Sequence, residues 1–493
     1  MNETQFKAFT ATQIAALDAT DMSEFAATQV AAMTTTQIAA LSNTNFAALA
    51  DTQIEALTTT QLAAVSAAKI AAMTETQTTA FTTTQIASMS TTQVRAFTTA
   101  NLSALDSEQS AALTGAQIAA LTTTQIADLN ASDVGDLTTT QIAAMATTQI
   151  RALTETTLGD LSDTQIAAFT STQIANLSTT NIGNLADTQA AALTATQVAA
   201  MTTAQVKQVS ETNLAAFNTT QMAALTTTQV KALTNTQIEA LAAGDVAELT
   251  ATQLGALTTT QMAALNETNL ASLNETQVAA FGASQIARLS TDALNALDAT
   301  QMGALTTTQV KALTATQMGA LESTDVSEIT TTQIGALNKT QVAALSEASL
   351  AGLTATQIET FSTSQVQAFS ATSISALDAA QTGALKTTQV AALSATQVAG
   401  LNETDIGEFA ATQVGALTTT QVAAQGVHDD PDRQHERHRH RRTERHSDRG
   451  HAHHTSGGAD RRQHRRSQRN ADCSLHRHAN EGDLGHKPQR LRR

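Results

Sequence analysis

The first 424 residues of this 493-residue chain contain no Pro, His, Cys, Trp or Tyr. Without His or Cys, the usual nucleophile–base triads and thiolate or imidazole metal sites have no residues to use. A single Cys, Cys473, excludes a disulfide framework. Basic side chains are also scarce: 10 Lys and Arg stand against 33 Asp and Glu up to residue 424, a net of −23. Nucleic acid and anionic membrane need clustered cations, so neither is expected as a partner of this segment. No apolar run approaches membrane-spanning length, and the first residues lack the basic and apolar regions of a signal peptide. No cofactor is implied, and no catalytic residue can be nominated.

What fills the chain instead is one repeated unit. With an apolar residue placed last, an eight-residue frame runs from Asn2 to Leu417 as 52 consecutive octads without insertion or deletion. The consensus is T-x-T-Q-[IV]-A-A-L, and the closing position is always Leu, Met, Phe, Val or Ile. Such arrays arise when one unit cannot bury its own apolar face and must stack on others.

The octad reads as a helix start. Its first residue, Thr, Ser, Asp or Asn, caps the following backbone N–H groups, and the Gln three positions on completes a capping box. The closing residue of one octad and the Ile or Val of the next stand as a hydrophobic staple, as with Leu121 and Ile126 around Thr122 and Gln125. The fold expected is all-α: a superhelical solenoid of very short helices, one per octad. Each cap contributes only about 1 kcal/mol, so stability must come from stacking two large apolar residues per octad, roughly 1.5–3 kcal/mol each. One continuous helix fails, because eight residues overshoot two turns by about 80° and wind the apolar stripe around the rod. A parallel β-solenoid is the alternative, since Thr and Ile favour strands. It would put the two apolar positions on opposite faces, and it lacks regular Gly, Asn or Asp corners.

A second period lies over the first. The Gln position is replaced at Asp21, Asn45, Lys69, Asn101, Asp133, Thr157, Asn181, Asn213, Asp245, Asn269, Ala293, Asp325, Ser349, Ser373 and Asp405. Successive gaps are always 24 or 32 residues and average about 27, close to three and a half octads. A period between whole units is what a superhelix produces when its turn is not an integer number of repeats. One turn is therefore expected to take about 3.5 octads, with the exceptions along one edge. Five of these octads carry a second acid three positions on, as Asp133 with Asp136 and Asp325 with Glu328. Asp21, Asp133, Asp136, Asp245, Asp325, Glu328 and Asp405 are thus the candidates for a Ca²⁺ ladder. The competing reading, which we adopt, is an edge with its own packing environment where Asp or Asn caps the helix. The ligand count per octad falls short of the six to eight oxygens the ion takes, so tight Ca²⁺ binding is not expected. An ice-binding threonine array is a further alternative, but the first Thr of each octad is already used as a cap.

From Gln425 the composition inverts. Residues 425–493 hold 17 basic and 10 acidic side chains, both Pro, all 12 His and Cys473. We expect this basic His/Arg-rich segment to be disordered and to be repeat DNA read in the wrong frame. Taking the last two bases of each codon with the first of the next, permitted codons turn His428–Glu436 into T-T-T-Q-I-A-N-M. Glu436–Glu444 becomes S-A-T-D-I-G-A-L, and Glu444–Ala452 becomes N-A-T-Q-I-A-A-M. On that reading His451, His453, His454 and Cys473 are no metal site. The domains expected are therefore a solenoid over 2–424 and a tail over 425–493.

Units such as Thr34–Leu41, TTTQIAAL, resemble the LTTTQIAAL-type octapeptide arrays of large bacterial adhesin-like and RTX-related surface proteins. The resemblance covers Asn2 to Ala424 and implies a long bacterial surface or secreted protein, with no catalytic residues to transfer. The glycine-rich nonapeptides of RTX calcium sites are absent here. "LTATQVAAM" at 193–201 is also similar to the first helix of a TAL-effector repeat, but the 34-residue unit and base-reading loop are missing. The function expected is a non-catalytic structural or adhesive array, located outside the cell or on its surface. Its partner would be a protein or a cell-surface ligand. The alternatives are a calcium- or ice-binding array, or a fragment of a larger enzyme or toxin.

Overall fold

Every octad folds as its own helix. The computed structural model describes residues 3–426, which lie in one compact unit. They form 53 helices and no strand, from α1 (Glu3–Lys7) to α53 (Thr419–Gln425). The all-α expectation holds, and the β-solenoid alternative does not. The calls on residues 425–493, including the altered reading frame and His451, His453, His454 and Cys473, concern residues almost all of which lie outside the described ones.

Helices of four to seven residues are too short to persist alone in water, so each needs its ends satisfied from outside. In α29 (Thr227–Ala232) the start is a capping box. Thr226 has extended backbone (φ −70°, ψ 156°), and its Oγ1 accepts from the Gln229 N–H at 3.2 Å, while Gln229 Oε1 accepts from the Thr226 N–H at 2.7 Å. The closing residue Leu233 is also extended (φ −54°, ψ 140°), as is the next cap, Thr234 (φ −75°, ψ 158°). Two residues near polyproline geometry thus join successive helices. Both have negative φ, so the connection needs no glycine. This explains how the array repeats without the turn residues that helix ends usually call on.

The helices wind into a superhelix whose turn falls between three and four octads. α29 packs against α26 (Thr203–Val206), three helices back. Its Gln229 hydrogen-bonds four helices back, to the end of α25 (Ala195–Ala200). This agrees with the turn of about 3.5 octads. The core is one continuous apolar cluster running the length of the array, built from the Ile or Val and the closing residue of each octad. Ala and Gly near the helix ends let the turns approach. A Cβ on Gly352, at the end of α44 (Glu347–Ala351), would lie 1.9 Å from the Ser323 carbonyl oxygen of α41 (Ser323–Glu328).

Candidate functional site

Two polar features run along the array: a ladder of buried glutamines and an acidic edge. The ladder is the denser. Gln229 is 2% exposed. Beyond its capping role, its Nε2 donates to the carbonyls of Val198 and Met201, both at 2.8 Å. The same pattern recurs as Gln53 to Met22 and Phe25, Gln141 to Ser110 and Leu113, and Gln397 to Val366 and Phe369. The spacing is 31 and 28 residues each time. Each of these glutamines therefore caps two helices at once: the start of its own through Oε1 and the end of one in the preceding turn through Nε2. The last carbonyls of a helix lack intrahelical donors, and this amide supplies them. The sequence reading assigned Gln only the capping box. The signal it passed over is that Glu, which would serve the box equally well, never occupies the position. Only the amide carries a donor as well as an acceptor.

The fifteen exceptions form one line from turn to turn. Those three helices apart pack directly, as α17 (Ala131–Gly135) on α20 (Glu155–Gly159) and α20 on α23 (Thr179–Gly183). Several of those four helices apart join by hydrogen bonds, as Asn213 Nδ2 to the Leu185 carbonyl at 2.8 Å and Ser103 Oγ to Asp133 Oδ2 at 2.6 Å. Two of the short amides keep one inter-turn bond: Asn181 and Asn269 donate to the carbonyls of Leu153 and Leu241 at 2.9 and 3.0 Å. Lys69 substitutes its ammonium, donating to the Ala39 carbonyl at 2.9 Å, and burial lowers its pKa below 10.5.

The five aspartates of this edge have no donor to offer. Asp21, Asp133, Asp245, Asp325 and Asp405 each accept the N–H of their own cap residue, at 2.7–3.0 Å. Asp405 also accepts from Ser375 Oγ at 2.5 Å, 30 residues back. Asp325 and Asp405 are buried, whereas Asp21, Asp133, Asp136, Asp245 and Glu328 are partly exposed. Burial raises the Asp325 carboxyl above its ordinary 3.8, against the lowering effect of the Glu322 N–H bond. Glu328 is raised first by burial and then by the charges of Asp325 and Asp298. Among the described residues no three His, Cys, Asp or Glu side chains gather as a metal cluster. The arrangement engages the five aspartates as helix caps.

What remains exposed is uniform. The second and third positions of the octad, mostly Thr and Ala, face outward along the array, as Thr123 and Thr124 do. Surface grooves between turns are lined by these residues, one by Thr91, Thr92, Thr122, Thr123 and Arg95. No described helix is long and apolar enough to cross a membrane.

The comparisons with known proteins agree with this repeat architecture. No curated protein and no solved structure matches the chain. The sequence model of the ALTTAQ repeat family matches four segments, residues 80–115, 142–179, 211–243 and 278–315, so the chain is similar to ALTTAQ repeats over several separate stretches of its solenoid.

Proposed function

We propose that the solenoid is a non-catalytic structural or adhesive array: a spacer or interaction surface of a bacterial protein displayed on or released from the cell. The observation that supports this most is how the polar groups are used. The buried amides and carboxylates described above are engaged in capping helices and joining turns, and the outward positions repeat Thr and Ala with little variation. Catalysis calls for a local cluster of titratable groups with matched, perturbed pKa values. A long surface of one composition instead suits many weak contacts made in parallel. Labelling unpermeabilised source cells with an antibody to the array tests the location, and retention of protein-coated beads on protein or cell surfaces tests adhesion. Surface labelling with bead retention is expected. Labelling only after permeabilisation, together with beads that wash off like uncoated ones, would overturn the reading.

A further inference from the structure

The charged residues of the array are sorted around the superhelix. With a turn of about 27 residues counted from Asp21, all 33 acids up to residue 424 fall within one half of the turn, the half that holds the line of exceptions. The basic residues fall in the other half. Eight of the ten lie there, from Lys7 and Arg95 through Arg151, Lys207 and Lys231 to Lys339. Arg95, Arg151 and Lys207 follow one another at 56 residues, two turns each time. All eight are exposed. The other two are Lys69, which is buried, and Lys386, which stands on the acidic side.

Contacts between turns stay within each side. Arg151 Nη2 donates to Asn176 Oδ1 at 2.6 Å on the basic side, and Thr219 Oγ1 donates to Glu248 Oε1 at 2.7 Å on the acidic side. Among the described residues no Lys or Arg is ion-paired with an Asp or Glu. Exposed carboxylates such as Glu155, Asp187, Glu211 and Glu267 therefore have no counter-ion within the fold. Cations scattered among them would relieve their repulsion; placed opposite, they do not, so folding stability does not account for the sorting. Grooves between turns open on both sides, one beside Arg95 and Thr122, another beside Asn274 and Glu275. A basic side chain of one copy can thus lie in a groove of another next to a carboxylate.

We infer that copies of this chain associate side by side, the basic side of one lying on the acidic side of the next. Both sides repeat at the single pitch of the superhelix, so a match made at one turn recurs at others. Exposed ion pairs that are weak singly then act in parallel. The contact runs along the array and joins unlike surfaces, so it adds copies in rows rather than closing a pair. Each array carries −23. Association is therefore weak and needs the net repulsion screened, as it is at about 0.15 M salt.

Sedimentation velocity on the full chain at that salt, over a range of concentrations, tests this. Reversible species larger than a monomer are expected. Neutralising the basic side with Arg95→Gln, Arg151→Gln, Lys207→Gln and Lys231→Gln is expected to weaken association about ten-fold. A second variant, Thr156→Glu, Thr188→Glu, Thr212→Glu and Thr268→Glu, makes the same change in net charge at exposed positions of the acidic side. It is expected to stay within about two-fold of the wild type. A wild type that remains monomeric at every concentration overturns the inference. So does equal loss in both variants, which would make net charge the cause. Undiminished association in the first variant also overturns it, and would give the acidic side another partner, residues 425–493 among them.

Discussion

At the scale of single residues, the glutamine amide explains why Glu never stands at the fourth position of this repeat. Gln229→Glu keeps the acceptor for the Thr226 N–H but removes the donors to Val198 and Met201 and brings a charge to a buried site. Two carbonyls are left short of a donor, so a loss of about 3 kcal/mol is expected, read from the urea transition of the variant. Gln229→Asn is expected to cost less, because Asn269 and Asn213 show that the shorter amide still reaches one carbonyl.

Asp325 gives the pH dependence. Its folded pKa lies above its ordinary 3.8, so between those values the folded chain binds more protons than the unfolded one. Stability from this group is therefore present at low pH and is lost as pH rises through the raised value. Asp325→Asn is expected to abolish that slope and to stabilise the edge by about 1 kcal/mol at neutral pH, since its amide can reach the Leu297 carbonyl as Asn269 reaches Leu241. A variant less stable than wild type at neutral pH would contradict this account.

At the scale of elements, each helix is a single turn that lives by its two caps and by the closeness of its neighbours. Gly352→Ala tests the second condition. The added methyl falls on the Ser323 backbone carbonyl rather than on a flexible side chain, so α41 and α44 must separate. A cost of about 2 kcal/mol is expected, with hydrogen exchange accelerating in those two helices first. The acidic octads are elements of the same kind, each carboxylate of the five-membered series holding its own cap. Titration of the full chain with Ca²⁺ in a calorimeter is accordingly expected to give no saturable micromolar binding. Saturable heat that disappears in Asp133→Asn with Asp325→Asn would make this edge a calcium site.

At the scale of the whole molecule, the main packing among the described helices is between those three places apart, with hydrogen bonds reaching four, so stability is close to a sum over neighbouring turns. Ile238→Ala removes a fully buried side chain. It is expected to cost about 2–5 kcal/mol, confined to the turns on either side of it. Exchange protection should fall locally, while turns near Ile54 and Ile358 keep theirs. Uniform loss of protection along the array would mean long-range cooperativity that this contact pattern does not provide.

Much of this architecture was legible in the chain before any coordinates. The octad frame, the capping box at Thr226 and Gln229, the staple of Leu121 and Ile126 and the turn of about 3.5 octads are local or periodic properties. A short stretch of covalently linked residues decides a cap, and fifteen regularly spaced exceptions at the Gln position reveal a superhelical pitch. The second role of glutamine was not legible, because its partners lie 28 and 31 residues away, and only the pitch of the wound chain brings them within 3 Å. Nor could spacing alone show where the carboxylates of Asp133 and Asp325 turn: folding aims one oxygen of each at the backbone N–H of its own octad's cap residue. The sequence by itself determined a repeating helix and its pitch, since both follow from near neighbours and periodicity. Only the tertiary structure decided which face of each turn donates and which accepts, because that polarity exists only once one turn lies on another.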